Sequence, residues 1–183
     1  MTVAKPRLSE SVGRFLEQRA AVRPASLVCG EATVGIAALL EESRRVARGL
    51  ADLGVGKGDR VALWLPNTPA WLALYLACAR LGAIAVAVNT RFRSAEIADI
   101  VGRSGARLLA LWPDFRHIDF LGILGEVDRV ALDRLEGIIV YGGAEPPGER
   151  VHGKPVIAYD ALRQRPAIEN SPVAAYRPGT FVR

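Results

Sequence analysis

The sequence predicts an α/β fold with a mainly parallel sheet. From residue 60 onward, short runs that are apolar at nearly every position alternate with segments of helical period. Such runs suit strands buried on both faces, and helices between them are the crossovers that parallel neighbours require. Composition agrees: half of the 183 residues are hydrophobic and only 23% are charged, enough apolar surface for a core and too much for a disordered chain. The length fits one domain or part of a larger one.

Taken in order, Val12, Phe15, Leu16 and Ala20 recur at helical spacing and predict a first helix over 9–21, ended before Pro24. Residues 26–29 and 32–34, split by Gly30-Glu31, predict a short hairpin. Ile36, Leu39, Leu40, Ser43, Val46, Ala47, Leu50 and Leu53 repeat at three and four, while Glu41, Glu42, Arg44, Arg45 and Arg48 line the other side. Residues 36–53 therefore form an amphipathic helix, with Gly54 placed to end it in the left-handed conformation. The alternating part then reads strand 60–65, helix 68–81, strand 83–88, helix 94–104 and strand 107–111. Trp112-Pro113-Asp114 is a turn, 118–124 is helical and 137–141 is another buried strand. With three prolines and four glycines, 142–155 reads as loop throughout. An edge strand at 156–158 and one helical turn at 159–163 follow. The domain is expected over 1–165, with 166–183 an irregular tail carrying Pro166, Pro172 and Pro178 and no apolar period.

Between Trp71 and Val88 the only charge is Arg80, which approaches the length of a membrane-spanning helix. Thr68-Pro69 is a helix start and Gly82 a stop, so a soluble helix followed by a strand is expected instead. The first residues carry no signal-peptide core, and the cytoplasm is the default expectation. A net charge of +5 and a pI near 9.7 invite a nucleic-acid reading. Distribution argues against it: only Lys5, Lys57 and Lys154 are lysines, and the arginines are scattered, often beside acids, with no basic stripe. Cys29 and Cys78 lie far apart and read as packed thiols in a reducing compartment. His117 and His152 are the only imidazoles, and no metal-ligand spacing exists.

The cluster Gly54-Val55-Gly56-Lys57-Gly58-Asp59-Arg60 is not a phosphate loop. Ala51 stands where a Walker motif needs its first glycine, Gly58 where it needs Ser or Thr, and the cluster leaves a helix to enter a strand. It reads as a tight turn. No Gly-x-Ser-x-Gly elbow is present. His117, near Asp114 and Asp119, reads as a surface ring rather than a general base. The paired acids Glu41 and Glu42, and Glu145 and Glu149, read as solvated. No catalytic residue and no metal ligand is assigned.

The run Leu53-Gly54-Val55-Gly56-Lys57-Gly58-Asp59-Arg60-Val61-Ala62-Leu63-Trp64-Leu65-Pro66-Asn67 is followed by Trp71 and by Leu81-Gly82-Ala83-Ile84. Val88-Asn89-Thr90-Arg91-Phe92-Arg93-Ser94-Ala95-Glu96-Ile97 and Ser104-Gly105-Ala106-Arg107 come next. This ordered set resembles the opening of the adenylate-forming (AMP-binding) acyl-CoA synthetases, over 15–111 and more loosely to Tyr159-Asp160-Ala161-Leu162. The stretch 89–101 is most similar to members acting on fatty or aryl acids. There are departures. Thr33-Val34-Gly35-Ile36-Ala37-Ala38-Leu39 stands where the family usually has a Thr-Tyr-x-Glu-Leu segment, and Ala87 replaces a common proline. The family's Ser/Thr/Gly-rich loop ending in Pro-Lys-Gly, its aromatic-Gly-x-Thr-Glu segment, its ribose-binding aspartate and its C-terminal domain with a catalytic lysine have no match in these 183 residues.

The resemblance implies an incomplete N-terminal part of the adenylate-forming enzyme large domain. Full-length relatives are expected to use ATP, Mg²⁺ and CoA to convert a carboxylic acid to acyl-AMP and pyrophosphate, then to acyl-CoA and AMP. The chain alone is expected to be inactive and to need no cofactor, as a gene fragment or one part of a split ligase. The alternatives are a non-catalytic α/β binding or interaction module and a small independent α/β enzyme. In acetyl-CoA synthetase-like relatives the loops after the strands matching 83–88 and 107–111 approach the CoA nucleotide. That implies CoA contacts at Thr90, Arg91 and Arg116, arginine being suited to phosphate; the competing reading is loop arginines in solvent. An exposed apolar patch including Phe15, Leu16 and Leu27 is expected where relatives pack the later half of the domain. Self-association, or binding of a complementary C-terminal ligase fragment, follows from it.

Overall fold

The computed structural model describes residues 12–142 and 148–168. In chain order they form α1 (Val12–Val22), β1 (Ser26–Cys29), β2 (Ala32–Gly35), α2 (Ile36–Asp52), β3 (Arg60–Trp64), α3 (Pro69–Leu81), β4 (Ile84–Ala87) and α4 (Ser94–Ser104). β5 (Leu108–Leu111), α5 (Phe120–Gly125), β6 (Gly137–Val140), β7 (Arg150–Val151), β8 (Lys154–Ala158) and α6 (Tyr159–Arg163) complete the order. A 3-10 turn at Phe115–His117 precedes α5, and a second at Arg129–Leu132 follows it.

Local chemistry sets the helix ends. Gly54 adopts φ +80°, its N–H donates to the Ala51 carbonyl at 2.9 Å, and the Val55 N–H donates to Leu50 at 3.0 Å. These two bonds make the left-handed helix end that a glycine permits. α3 starts on Thr68, whose Oγ1 accepts the Trp71 N–H at 3.2 Å, with Pro69 in the first turn, and it ends on Gly82 at φ +69°.

Six strands form one sheet in the order β4-β3-β5-β6-β8-β7, all parallel except β7, which runs antiparallel to β8. The pleat then divides the core in two. Val61 and Leu63 face α2, α3 and α6 with Leu108, Ala110 and Ile139, while Ala62 and Trp64 face α4 and α5 with Leu109, Leu111, Ile138 and Val140. Both faces are covered, as the continuous apolar strands predict. β1 and β2 form a separate antiparallel hairpin.

Three expectations are corrected. The stretch 142–155 is not loop throughout, because Arg150–Val151 and Lys154–Pro155 pair as the hairpin β7–β8. Its two turn residues, His152 and Gly153, have φ +53° and +74°, the two positive values a tight hairpin turn demands. Consequently β8 is not the sheet edge, since β7 lies outside it. The three residues expected to form an exposed patch are half-buried, and Leu16 rests on the first core. Val12, Val22 and Val28 are the large apolar residues that α1 and β1 expose. Residues 9–11 of the expected first helix, and 169–183 of the expected tail, lie outside the described residues. Both cysteines are free thiols, and no described helix is long and apolar enough to cross a membrane.

Candidate site at the carboxyl ends of the strands

Chain order across the sheet locates the natural crevice. The chain enters at β3, adds β4 on one side, then crosses back to add β5, β6 and β8 on the other. The carboxyl ends of β3 and β5 are therefore the point at which the winding reverses, where open α/β sheets place their ligands. The loops after β4 and β5, the strands that flank β3, leave the sheet at this end.

The loop after β4 is built around Asn89. Its carbonyl accepts the buried Trp64 indole N–H at 3.1 Å and the Phe92 N–H at 3.1 Å, and its Oδ1 accepts the Arg91 N–H at 2.9 Å. This tie fixes the backbone of Thr90, which is half-buried, and leaves Arg91 exposed. Among the described residues the Arg91 guanidinium has no hydrogen bond or ion pair. Arg93, two residues on, is used locally: its Nη1 donates to the Arg91 and Phe92 carbonyls.

The loop after β5 carries Arg116 in the 3-10 turn. Arg116 and His117 both have left-handed backbones, φ +55° and +61°, a conformation non-glycine residues seldom take. Their side chains are exposed, and the Arg116 guanidinium lies 5.4 Å from the Phe115 ring centroid. The structure brings Thr90, Arg91 and Arg116 to the same end of the sheet, in the loops that follow the two strands flanking β3. No hydrogen bond or ion pair joins the three among the described residues. Among the described residues no side-chain hydrogen bond or ion pair supports His117 as a catalytic base. Asp119 caps α5 by accepting the Gly122 N–H at 2.7 Å, and Asp114 accepts the Trp112 indole N–H at 3.0 Å.

Beyond β5 lies an aromatic row that sequence reasoning did not single out. Trp112 meets Phe115 at 5.2 Å and Tyr141 edge-on at 5.3 Å, and Tyr141 meets Tyr159 edge-on at 5.3 Å. Gly142, at φ +68°, permits this, since a Cβ there would stand 2.9 Å from the Trp112 ring. The Tyr159 hydroxyl donates to Glu42 Oε1 at 2.6 Å. Burial, and then that carboxylate, pushes Tyr159 ionisation far above the ordinary tyrosine value, so it remains a neutral donor. Glu42 is accordingly not a freely solvated acid: it is half-buried and ties α2 to α6. Its sequence neighbour Glu41 pairs with Arg44 and Arg45. Glu145 lies outside the described residues.

The two described lysines are elsewhere. Lys57 lies in the turn before β3 and Lys154 at the start of β8, both at the amino ends of the strands, and Lys154 Nζ donates to the Asp133 carbonyl. Lys5 lies outside the described residues. Among those residues no group of three or more His, Cys, Asp or Glu side chains could hold a metal ion. The donors present therefore do not fit a Mg²⁺–triphosphate site.

The sequence profile of the family described as "AMP-binding enzyme" matches residues 11–175. The putative acyl-CoA synthetase YngI of Bacillus subtilis is 32% identical over 124 residues, covering 66% of this chain and 23% of that protein. The mitochondrial medium-chain acyl-CoA ligase ACSF2 of Macaca fascicularis is 35% identical over 124 residues, covering 66% and 20%. Among solved structures, the anthranilate CoA ligase AuaEII in complex with anthranoyl-AMP superimposes with a TM-score of 0.74 at 25% identity. It covers 93% of this chain and 30% of that one. The chain thus spans about a fifth of the length of these curated relatives and under a third of the solved ligase.

Proposed function

The chain belongs to the AMP-binding enzyme family, and from that premise we propose that it supplies the N-terminal scaffold of an ATP-dependent acid–CoA ligase acting on fatty or aryl acids. On this reading the whole enzyme forms acyl-AMP and pyrophosphate and then the thioester. The 183-residue chain on its own does neither, because charge neutralisation on the triphosphate requires groups it does not carry. Thr90, Arg91 and Arg116 are assigned to the CoA nucleotide. The observation that supports this is their shared position at the carboxyl end of the sheet, in the loops after the two strands flanking β3, with two exposed guanidiniums not spent on carboxylates. A bidentate arginine fork matches phosphate oxygens. The partner proposed for the isolated chain is a complementary C-terminal ligase fragment, with self-association when that is absent.

Two measurements test the reading separately. Titration calorimetry of CoA into the chain should give millimolar-range binding that is lost in Arg91→Ala/Arg116→Ala; absence of heat at millimolar CoA removes the nucleotide assignment. In a pyrophosphate-release assay with ATP, Mg²⁺ and a panel of fatty and aryl acids, the chain alone should be silent. Turnover by the purified polypeptide would overturn the scaffold reading.

A further inference from the structure

The first helix stands apart from the doubly covered sheet. Gly13 is the only residue of α1 that is buried, and Leu16 and Ala20 rest half-buried against the core. What meets it is a pair of arginines. Arg80, from α3, is 8% exposed. Its Nε donates to Ser43 Oγ at 3.1 Å, and the Ser43 hydroxyl donates onward to the Leu40 carbonyl at 2.6 Å. Its Nη2 reaches Glu17 Oε1 of α1 at 2.7 Å, and Arg44 Nη2 reaches the same oxygen at 3.0 Å. One turn before Glu17, Gly13 lies against the guanidinium, where an added Cβ would already touch Arg80 Cζ at 3.5 Å.

We propose that α1 is a detachable strap, held on the α2–α3 groove by a carboxylate receptor made of Arg80 and Arg44, and that Glu17 is its clasp. Every fixed partner of Arg80 except Glu17 belongs to α2, so the receptor is organised whether or not α1 is docked. A guanidinium buried without a counter-charge is costly, which makes the groove select an anion. A helix of 11 residues is marginal in water, so α1 orders by docking and melts on release. The recognition code is a glycine followed four residues later by a glutamate, which places a bare backbone and then a carboxylate on one face.

Amide hydrogen exchange on the whole 183-residue chain tests this. In the parent chain, α1 amides should exchange by local opening while β3 and β5 stay protected. Glu17→Gln should speed α1 exchange at least tenfold and leave β3 and β5 within twofold. Arg44→Met, which keeps the Arg80 contact, should give a smaller rise of about threefold in α1 alone. The strap is excluded if α1 exchange is unchanged in both variants, or if β3 and β5 lose protection in step with α1. A Glu17→Gln chain that does not fold would exclude it equally, because α1 would then be integral.

Discussion

Gly49 sets how closely α6 approaches α2. A Cβ on it would lie 2.8 Å from Leu162 Cδ2 and 2.9 Å from Leu162 Cα, and a backbone atom cannot swing aside. Gly49→Ala gains roughly 1 kcal/mol of helix propensity, but forcing α6 outward costs about 1–3 kcal/mol in overpacking and strains the Tyr159–Glu42 bond. A net loss of about 1 kcal/mol in urea unfolding is expected; a net gain would show that the close approach is not what requires glycine. At the other end of the sheet, Arg107 joins Glu136 at 2.6 Å, Asp59 at 2.8 Å and the Gly54 carbonyl at 2.8 Å. Its hydrogen bonds hold Glu136 below the ordinary carboxylate value, and the Gly56 N–H, followed by Arg107, does the same for Asp59. Both carboxylates have folded-state values below their unfolded ones. The stability they add is thus complete at neutral pH and drains away as pH falls below about 4.5. Arg107→Met should lower stability at pH 7 by about 1 kcal/mol, given how exposed these groups are, and should flatten the acid limb of the stability–pH curve. An unchanged acid limb would mean that other carboxylates set it.

Elements whose ends carry chemical signals are legible in the sequence. The helix over 94–104 is found with those bounds, and the ends marked by Thr68-Pro69, Gly82 and Gly54 fall where those residues stand. The β7–β8 hairpin is hidden because its turn is His152-Gly153, and histidine is not a residue that announces a positive φ. That conformation makes the hairpin depend on its glycine. Gly153→Ala should destabilise by about 1 kcal/mol and expose the β7 side of β8, seen as faster exchange at Val156, whose N–H donates to the Glu149 carbonyl; Gly153→Asn, tolerant of the same backbone, should cost less. At the carboxyl-end site the loops are legible and their internal chemistry is not. The loop carrying Thr90 and Arg91 comes after an apolar strand as the sequence predicts, whereas the hold of Asn89 on the buried Trp64 and the left-handed pair Arg116-His117 are set by tertiary contacts. Glu42 and Tyr159, 117 residues apart, give no local sign of their bond.

Over the whole molecule the two sheet edges are treated differently. One is closed by β7, a two-residue strand carrying Arg150, short and charged as protected edges tend to be. The other is β4, Ile84-Ala85-Val86-Ala87, with no charge and no proline between Leu81 and Asn89. The Ile84 and Val88 N–H groups donate inward, to the carbonyls of Asp59 and Leu63. By the strand's alternation the peptide groups of Ala85 and Ala87 point outward, and no strand among the described residues pairs with them. Ile84 is 52% exposed beside them. An uncharged, apolar, unpaired edge is a template for another strand. Self-association of the isolated chain is therefore expected to run through β4 rather than through Phe15, Leu16 and Leu27, which are half-buried. Ile84→Lys places a charge on that edge without removing an inward hydrogen bond. It should raise several-fold the concentration at which light scattering departs from the monomer mass, with unfolding free energy within about 0.5 kcal/mol of the parent. Val28→Lys, at a still more exposed apolar residue on the hairpin, serves as the control and should shift that concentration little. The reverse ranking would move the sticky surface to the hairpin and leave the β4 edge inert.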